Sequence, residues 1–163
     1  MKRIRIIGTP GSGKSYLAEL ISRKLKIRVY DLDDLYWYKK YSKKRSPKKL
    51  RELIKNITNK KSWIIEGMQY GVDSEWIIKK SELVIWVNPS LHKIIFRLIL
   101  RHKNRKNEKL SGTLKLIKSV IKYKLNINSK HKKAHNSYFQ KYSHKFIVIK
   151  NNKGIEKFLG ILK

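Results

Sequence analysis

Ile4-Arg5-Ile6-Ile7-Gly8-Thr9-Pro10-Gly11-Ser12-Gly13-Lys14-Ser15 is the stretch that decides the fold. Ile4 to Ile7 reads as a strand. Leu17, Leu20, Ile21 and Leu25 beyond it are spaced for one face of a helix. Between the two, residues 8–15 match G-x-x-x-x-G-K-[ST] at every position. Glycines let such a loop turn tightly, so that successive backbone N–H groups point inward as an anion nest while the helix adds its positive dipole end. The residues predicted to hold a nucleotide are Gly8, Pro10, Gly11, Ser12, Gly13, Lys14 and Ser15. Lys14 would reach the β- and γ-phosphates, and the Ser15 hydroxyl would take one position on Mg²⁺, so ATP or a related nucleoside triphosphate with Mg²⁺ is expected. An ordinary glycine-rich turn explains neither Lys14 nor Ser15. A dinucleotide fingerprint fails too, because Tyr16 stands where the third glycine would be needed.

Outward from the loop, short apolar runs alternate with amphipathic stretches, as in an α/β domain with a mostly parallel sheet. Ile27 to Tyr30 reads as strand two, ending in Asp31-Leu32-Asp33-Asp34. Ser46 and Pro47 open a helix that buries Leu50, Leu53, Ile54 and Ile57. Trp63 to Glu66 and Leu83 to Val87 are nearly continuous apolar runs, expected of strands covered on both faces. A helix capped by Ser90 carries Leu91, Ile94, Ile95, Leu98 and Ile99; another follows Ser111 with Leu114, Ile117, Val120 and Ile121. A helix over 130–141, a strand at Phe146 to Ile149 and a last helix burying Ile155, Phe158, Leu159 and Leu162 complete the chain. No internal repeat or long linker interrupts it. The expectation is one domain over 1–163, with mobile segments near 35–50 and 101–112.

The 163 residues, 40% hydrophobic and 10% aromatic, suffice for one core and not for two full domains. A formal charge of +30 would suit a polyanionic partner such as nucleic acid. Yet 32 of the 41 basic residues are Lys and 9 are Arg, beside 22 Ile and 10 Asn, all residues of A/T-rich codons. Base composition accounts for such a surface, whereas a charge selected to grip phosphate backbones would include more Arg, whose fork binds phosphate bidentately. The apolar stretch after Arg5 is too short for a secretory signal, and the window Ile94 to Leu100 holds Arg97 and is far short of the about 20 residues that span a bilayer. With no cysteine there is no disulfide frame. A soluble, cytoplasmic protein without a membrane partner is expected.

In an open parallel sheet, ligands gather outside the carboxyl ends of the strands, where Asp31, Asp33 and Glu66 fall beside the phosphate loop. Alternation would send Asp31 and Asp33 to one side, one toward metal-bound water and the other toward an acceptor hydroxyl. Equally, Asp33 or Asp34 would cap the next helical turn, and Glu66 would be a sheet-end carboxylate facing water. Arg97 and Arg101 share a helical face ahead of a polar run, as cations closing over a transferring phosphoryl group would, or as a plain solvated face. Tyr36, Trp37, Tyr38 and Tyr41 would stack on a planar acceptor or cover the surface. His131 and His135 lack the glutamate and third ligand of a zinc site and read as surface histidines.

On these residues the chain resembles the adenylate-kinase-like group of small P-loop kinases, most closely the proteins called DNA topology modulation proteins. The resemblance rests on Ile6 to Ser15, Val29 to Trp37, Trp63 to Gly71 and the Arg97/Arg101 helix. It implies a five-stranded parallel sheet in order 2-3-1-4-5 flanked by helices, a lid-like segment about 101–112, a Mg-nucleoside triphosphate and a cytoplasmic setting. In the related shikimate kinases a D-x-D turn after strand two serves metal and acceptor, matching Asp31 and Asp33 by position. The family usually has Asp where Glu66 stands and His where Asp31 stands, and an acid near the end of strand four where this chain has Val87-Asn88. The metal would then fall to Ser15, Asp31 and Glu66, and the chemistry to Lys14, Asp33, Arg97 and Arg101. The expected activity is transfer of the γ-phosphoryl group to a small-molecule acceptor. A nucleotide-switched nucleic-acid binder and a nucleotide binder with a degenerate site are the rivals.

Overall fold

The structure, a computed structural model, describes residues 1–39, 43–68, 74–105 and 109–162. Strand β1 (Arg3–Ile7) feeds the glycine loop and helix α1 (Lys14–Leu25). Lys26 closes α1 in the left-handed conformation, φ 55°, its N–H bonded to the Ser22 carbonyl. That cap occupies Ile27 as a buried connector, held by Ser22 Oγ donating to its carbonyl at 2.6 Å. Strand β2 is therefore Val29–Asp31, later than the Ile27 to Tyr30 expected from hydropathy alone. Helix α2 (Leu32–Tyr36) and an antiparallel pair, β3 (Trp37–Lys39) with β4 (Lys43–Lys44), fill the segment before α3 (Pro47–Thr58). Part of the segment expected to be mobile, residues 40–42, lies outside the described residues.

Next come β5 (Trp63–Glu66), α4 (Ser74–Lys80), β6 (Leu83–Val87), α5 (Leu91–Asn104) and α6 (Leu110–Lys124). Helix α7 (Lys130–Lys141), a 3₁₀ turn at Ser143–Lys145, β7 (Phe146–Ile149) and α8 (Asn152–Ile161) follow. The five long-range strands pair in parallel in the order β2-β5-β1-β6-β7, which is 2-3-1-4-5 when those strands alone are numbered. This is the α/β sheet that the resemblance implies.

Both faces are covered, and this explains the unbroken apolar runs. Ile4, Ile6, Ile64 and Ile85 pack with Leu17 and Ile21 of α1 and Phe158 of α8. On the other face Trp63 and Ile65 meet Ile54, Ile57 and Ile77, while Ile7, Val84 and Trp86 meet Ile78 and Tyr123. Each buried Ile contributes about 1.5–3 kcal/mol. The amphipathic faces of α5 and α6 are narrower than the sequence pattern predicts. Ile94, Leu98 and Val120 form the seam between the two helices, while Ile99 and Leu114 are exposed. Among the described residues no helix is long and apolar enough to cross a membrane.

Candidate active site

The phosphate loop is fixed at both ends by regular structure and across its middle by a distant arginine. Gly13 is the N-cap of α1 at φ 95°, a conformation that disfavours any L side chain, and a Cβ there would sit 3.1 Å from Arg97 Nη1. The same Nη1 donates to the Ser12 carbonyl at 2.8 Å. Ser12 N–H donates to the Thr9 carbonyl at 3.1 Å and closes the turn. Among the described residues no side chain caps α1, and its first turn holds no acid, which leaves amide donors there for an anion.

Strand order sets the acids. β5 lies beside β1, and its last residue, Glu66, is in register with Ile6 on one side and Asp31 on the other. The carboxylate is buried, at 3% exposure, so Glu66 does not face water. Ser15 Oγ donates to Glu66 Oε1 at 2.7 Å, and Lys14 Nζ lies 3.8 Å from Oε2. Oε2 is itself buried without a hydrogen-bond partner among the described residues. A shielded carboxylate oxygen lacking a donor, beside a serine hydroxyl at a phosphate loop, suits a divalent cation that keeps most of its coordination for phosphates and water. Although Val87-Asn88 offers no acid, Ser15 has the Glu66 carboxylate beside it. Asn88 instead accepts from Lys124 Nζ at 2.6 Å and ties α6 to the sheet end.

Asp31 ends β2 and is the N-cap of α2, its Oδ1 accepting the Asp33 N–H at 2.8 Å. Burial pushes its carboxyl above the ordinary range, the Asp33 N–H opposes that, and the Glu66 carboxylate adds to the rise. Asp33 sits in the first turn of α2, so strand alternation does not govern it, and the capping acid is Asp31 rather than Asp33 or Asp34. Among the described residues, no three His, Cys, Asp or Glu side chains form a metal cage.

Arg97 stands over the loop, and Arg101 follows one turn later, half-buried in the last turn of α5. Of the lid-like segment, residues 106–108 lie outside the described residues; on either side of them His102 Nδ1 and Thr113 Oγ1, 3.2 Å apart, tie α5 to α6. Tyr36 and Trp37 meet edge to face at 5.2 Å with Lys44 Nζ above both rings, and Arg45 lies over the exposed Tyr38. Tyr41 is outside the described residues, as are Gln69, Tyr70 and Gly71.

Two features escaped the sequence pattern. His135 is buried rather than a surface histidine: its Nδ1 and the Tyr123 hydroxyl are 2.7 Å apart, and its ring meets Trp86 edge-on. Burial pushes it down to about 3, with the Arg5, His131 and Lys132 charges acting the same way. His131, one turn earlier, is half-buried. The second feature is Arg5, a cation in the middle of a strand covered on both faces. Its signal was in the sequence, an arginine among isoleucines.

A family model for the ATPase family associated with various cellular activities (AAA) matches residues 4–66. The chain is 28% identical over 111 residues to the shikimate kinase of Sulfurihydrogenibium sp. (strain YO3AOP1), covering 60% of this chain and 67% of that one. It is 37% identical over 71 residues to the uncharacterized protein YqaC of Bacillus subtilis (strain 168), a match that spans 43% of this chain and only 40% of that protein's length. Among solved structures, shikimate kinase from Acinetobacter baumannii in complex with shikimate superposes with a TM-score of 0.59 at 14% identity, covering 100% of this chain and 96% of the other. Shikimate kinase from Bacteroides thetaiotaomicron gives 0.57 at 16% identity, with 98% and 94% covered. The fold is that of these shikimate kinase structures.

Proposed function

We propose that the protein is a phosphotransferase that moves the γ-phosphoryl group of a Mg-nucleoside triphosphate to a hydroxyl of a small molecule. The observation that carries this reading is the phosphate loop with the Ser15–Glu66 contact at one end and Arg97 across its middle. The likeness to shikimate kinases in fold, and to one of them in sequence, supports it. In this reading the loop amides and Lys14 bind the triphosphate, Lys14 exchanging its contact with Glu66 for phosphate oxygens. Ser15 and Glu66, with Asp31 behind them, would hold Mg²⁺, which supplies charge neutralisation at the β- and γ-oxygens. Asp33 accepts the acceptor's hydroxyl proton as its oxygen attacks the γ-phosphorus and the bond to the leaving nucleoside diphosphate breaks. Arg97 and Arg101 neutralise the group in transit. Carboxylates this close to the acceptor would repel a phosphate, so a hydroxyl compound fits better than a nucleoside monophosphate.

The test is Lys14→Ala. At about 100 times the dissociation constant, Mg-ATP should stabilise the parent by about 2.7 kcal/mol, a rise of several degrees in Tm, and leave the variant unmoved. Equal stabilisation of both would mean that the phosphate loop is not the nucleotide site. A panel of hydroxyl acceptors read by ADP release, with Lys14→Ala as the blank, then identifies the acceptor.

A further inference from the structure

Arg5 occupies the centre of β1 at 1% exposure, yet its neighbours Ile4 and Ile6 are the residues such a position favours. Stripping a guanidinium of water costs several kcal/mol unless its donors are met. The two terminal nitrogens are met in one place, while Nε is buried without a hydrogen-bond partner among the described residues. Nη1 donates to the carbonyls of Ile6 and Ile65, each at 3.1 Å, and Nη2 to the carbonyl of Gly67 at 2.9 Å. Two of these three acceptors, Ile65 and Gly67, immediately bracket Glu66.

The turn so clamped needs holding. Gly67 has φ 140°, and a Cβ on it would come within 2.9 Å of Leu32 Cβ, so α2 leans directly on this bend. Gly67 N–H in turn donates to the Ile6 carbonyl at 3.2 Å, the same carbonyl that Arg5 reaches. Register puts Arg5 opposite Ile65 and Glu66 opposite Ile6. Side chains alternate across a sheet, so Arg5 lies on the far face from the Glu66 carboxylate and the phosphate loop. It does not touch the reacting groups. Burial lowers the guanidinium to about 10, and the charges of Glu66, Asp31 and Asp33 act to keep it protonated. Its charge therefore also balances the carboxylates at the sheet end.

We propose that Arg5 is a positioning residue that fixes the backbone on both sides of Glu66 from behind the sheet, and so sets the Glu66 carboxylate for Mg²⁺ beside a bound nucleotide. This rests on the phosphate-loop reading above. A residue that merely filled space would be replaceable by Met, similar in length and apolar, with no effect on metal response.

The experiment measures nucleotide affinity with and without Mg²⁺ by calorimetry, on the full chain, for the parent, Arg5→Met, Arg5→Lys and Ser15→Ala, with melting curves as the check on folding. Arg5→Met should bind ATP in EDTA as the parent does but lose at least tenfold of the Mg²⁺-dependent gain, like Ser15→Ala. Arg5→Lys, which keeps the charge but not the fork, should lie between. A folded Arg5→Met with the parent's full Mg²⁺ gain overturns the proposal. If Arg5→Met does not fold, Arg5→Lys decides: a gain equal to the parent's overturns it, and a reduced gain with unchanged EDTA affinity supports it. A parent that binds no nucleotide overturns the phosphate-loop reading, and this inference with it.

Discussion

Replacing His135 by Gln should flatten the acid sensitivity of the fold. The ring is buried against Trp86 and shares its Nδ1 with the Tyr123 hydroxyl, itself pushed up by burial and so a standing donor. An unfolded His binds a proton below about 6.5, whereas the folded ring stays neutral down to about 3. The unfolded state thus binds the extra proton in that window. Stability is complete above about 6.5 and falls as the pH drops through it. Between about pH 7.5 and 5.5, His135 alone should remove about 1.4 kcal/mol, the cost of one pH unit below the unfolded value. For a chain of this size that is about 3–6 °C in Tm. His131, held below its ordinary value by burial, adds a loss of the same sign, so the quantity to read is the difference between parent and variant. His135→Gln keeps a hydrogen-bonding partner for Tyr123 and cannot titrate. Calorimetric melts of both proteins across that range make the test. Parallel falls in Tm, with the same slope in parent and variant, would refute the assignment of a neutral, proton-excluding His135.

At the site, Glu66→Gln keeps size and removes charge. It should leave ATP binding in EDTA near the parent's level while abolishing the additional stabilisation by Mg²⁺, read by thermal shift. Arg97→Ala removes the donor to the Ser12 carbonyl and the cation over the loop. It should cost about 10²-fold or more in kcat/KM against any acceptor the screen finds, with part of the loss in nucleotide affinity because the loop also loosens.

The loop was legible because it is local: eight consecutive residues specify a turn, a nest and a helix start. Glu66 was legible as a strand-end acid beside the loop and with Ser15 as a metal candidate; its burial and direct hydrogen bond to Ser15 were not, because they depend on β5 lying beside β1, a contact between residues 51 apart in sequence. Both β5 and β6 flank β1, so the acid absent at Val87-Asn88 at the end of β6 has a counterpart position at the end of β5. The alternation that would put Asp31 and Asp33 on one side does not apply, for a related reason. Alternation holds only while the strand lasts, and the Asp31 cap ends it two residues before Asp33. The burial of His135 is not legible in sequence, because a polar α7 gives no sign that Tyr123 and Trp86 close over one of its turns.

The net charge is best understood through where cations are buried. Lysines on the solvated faces interact weakly with everything, each screened over about 8–10 Å at physiological salt. Arg5, Lys14 and Arg97 differ: the first is sealed behind the sheet, the second is 14% exposed and 3.8 Å from Glu66, and the third bonds to the loop backbone. All three converge on the turn-and-loop pair formed by β1 and β5. Two of the three are Arg, though Arg supplies only 9 of the 41 basic residues. A partner recognised through the surface charge would be held by the exposed lysines and should be indifferent to Lys14 and Arg97, whereas a nucleotide should depend on both.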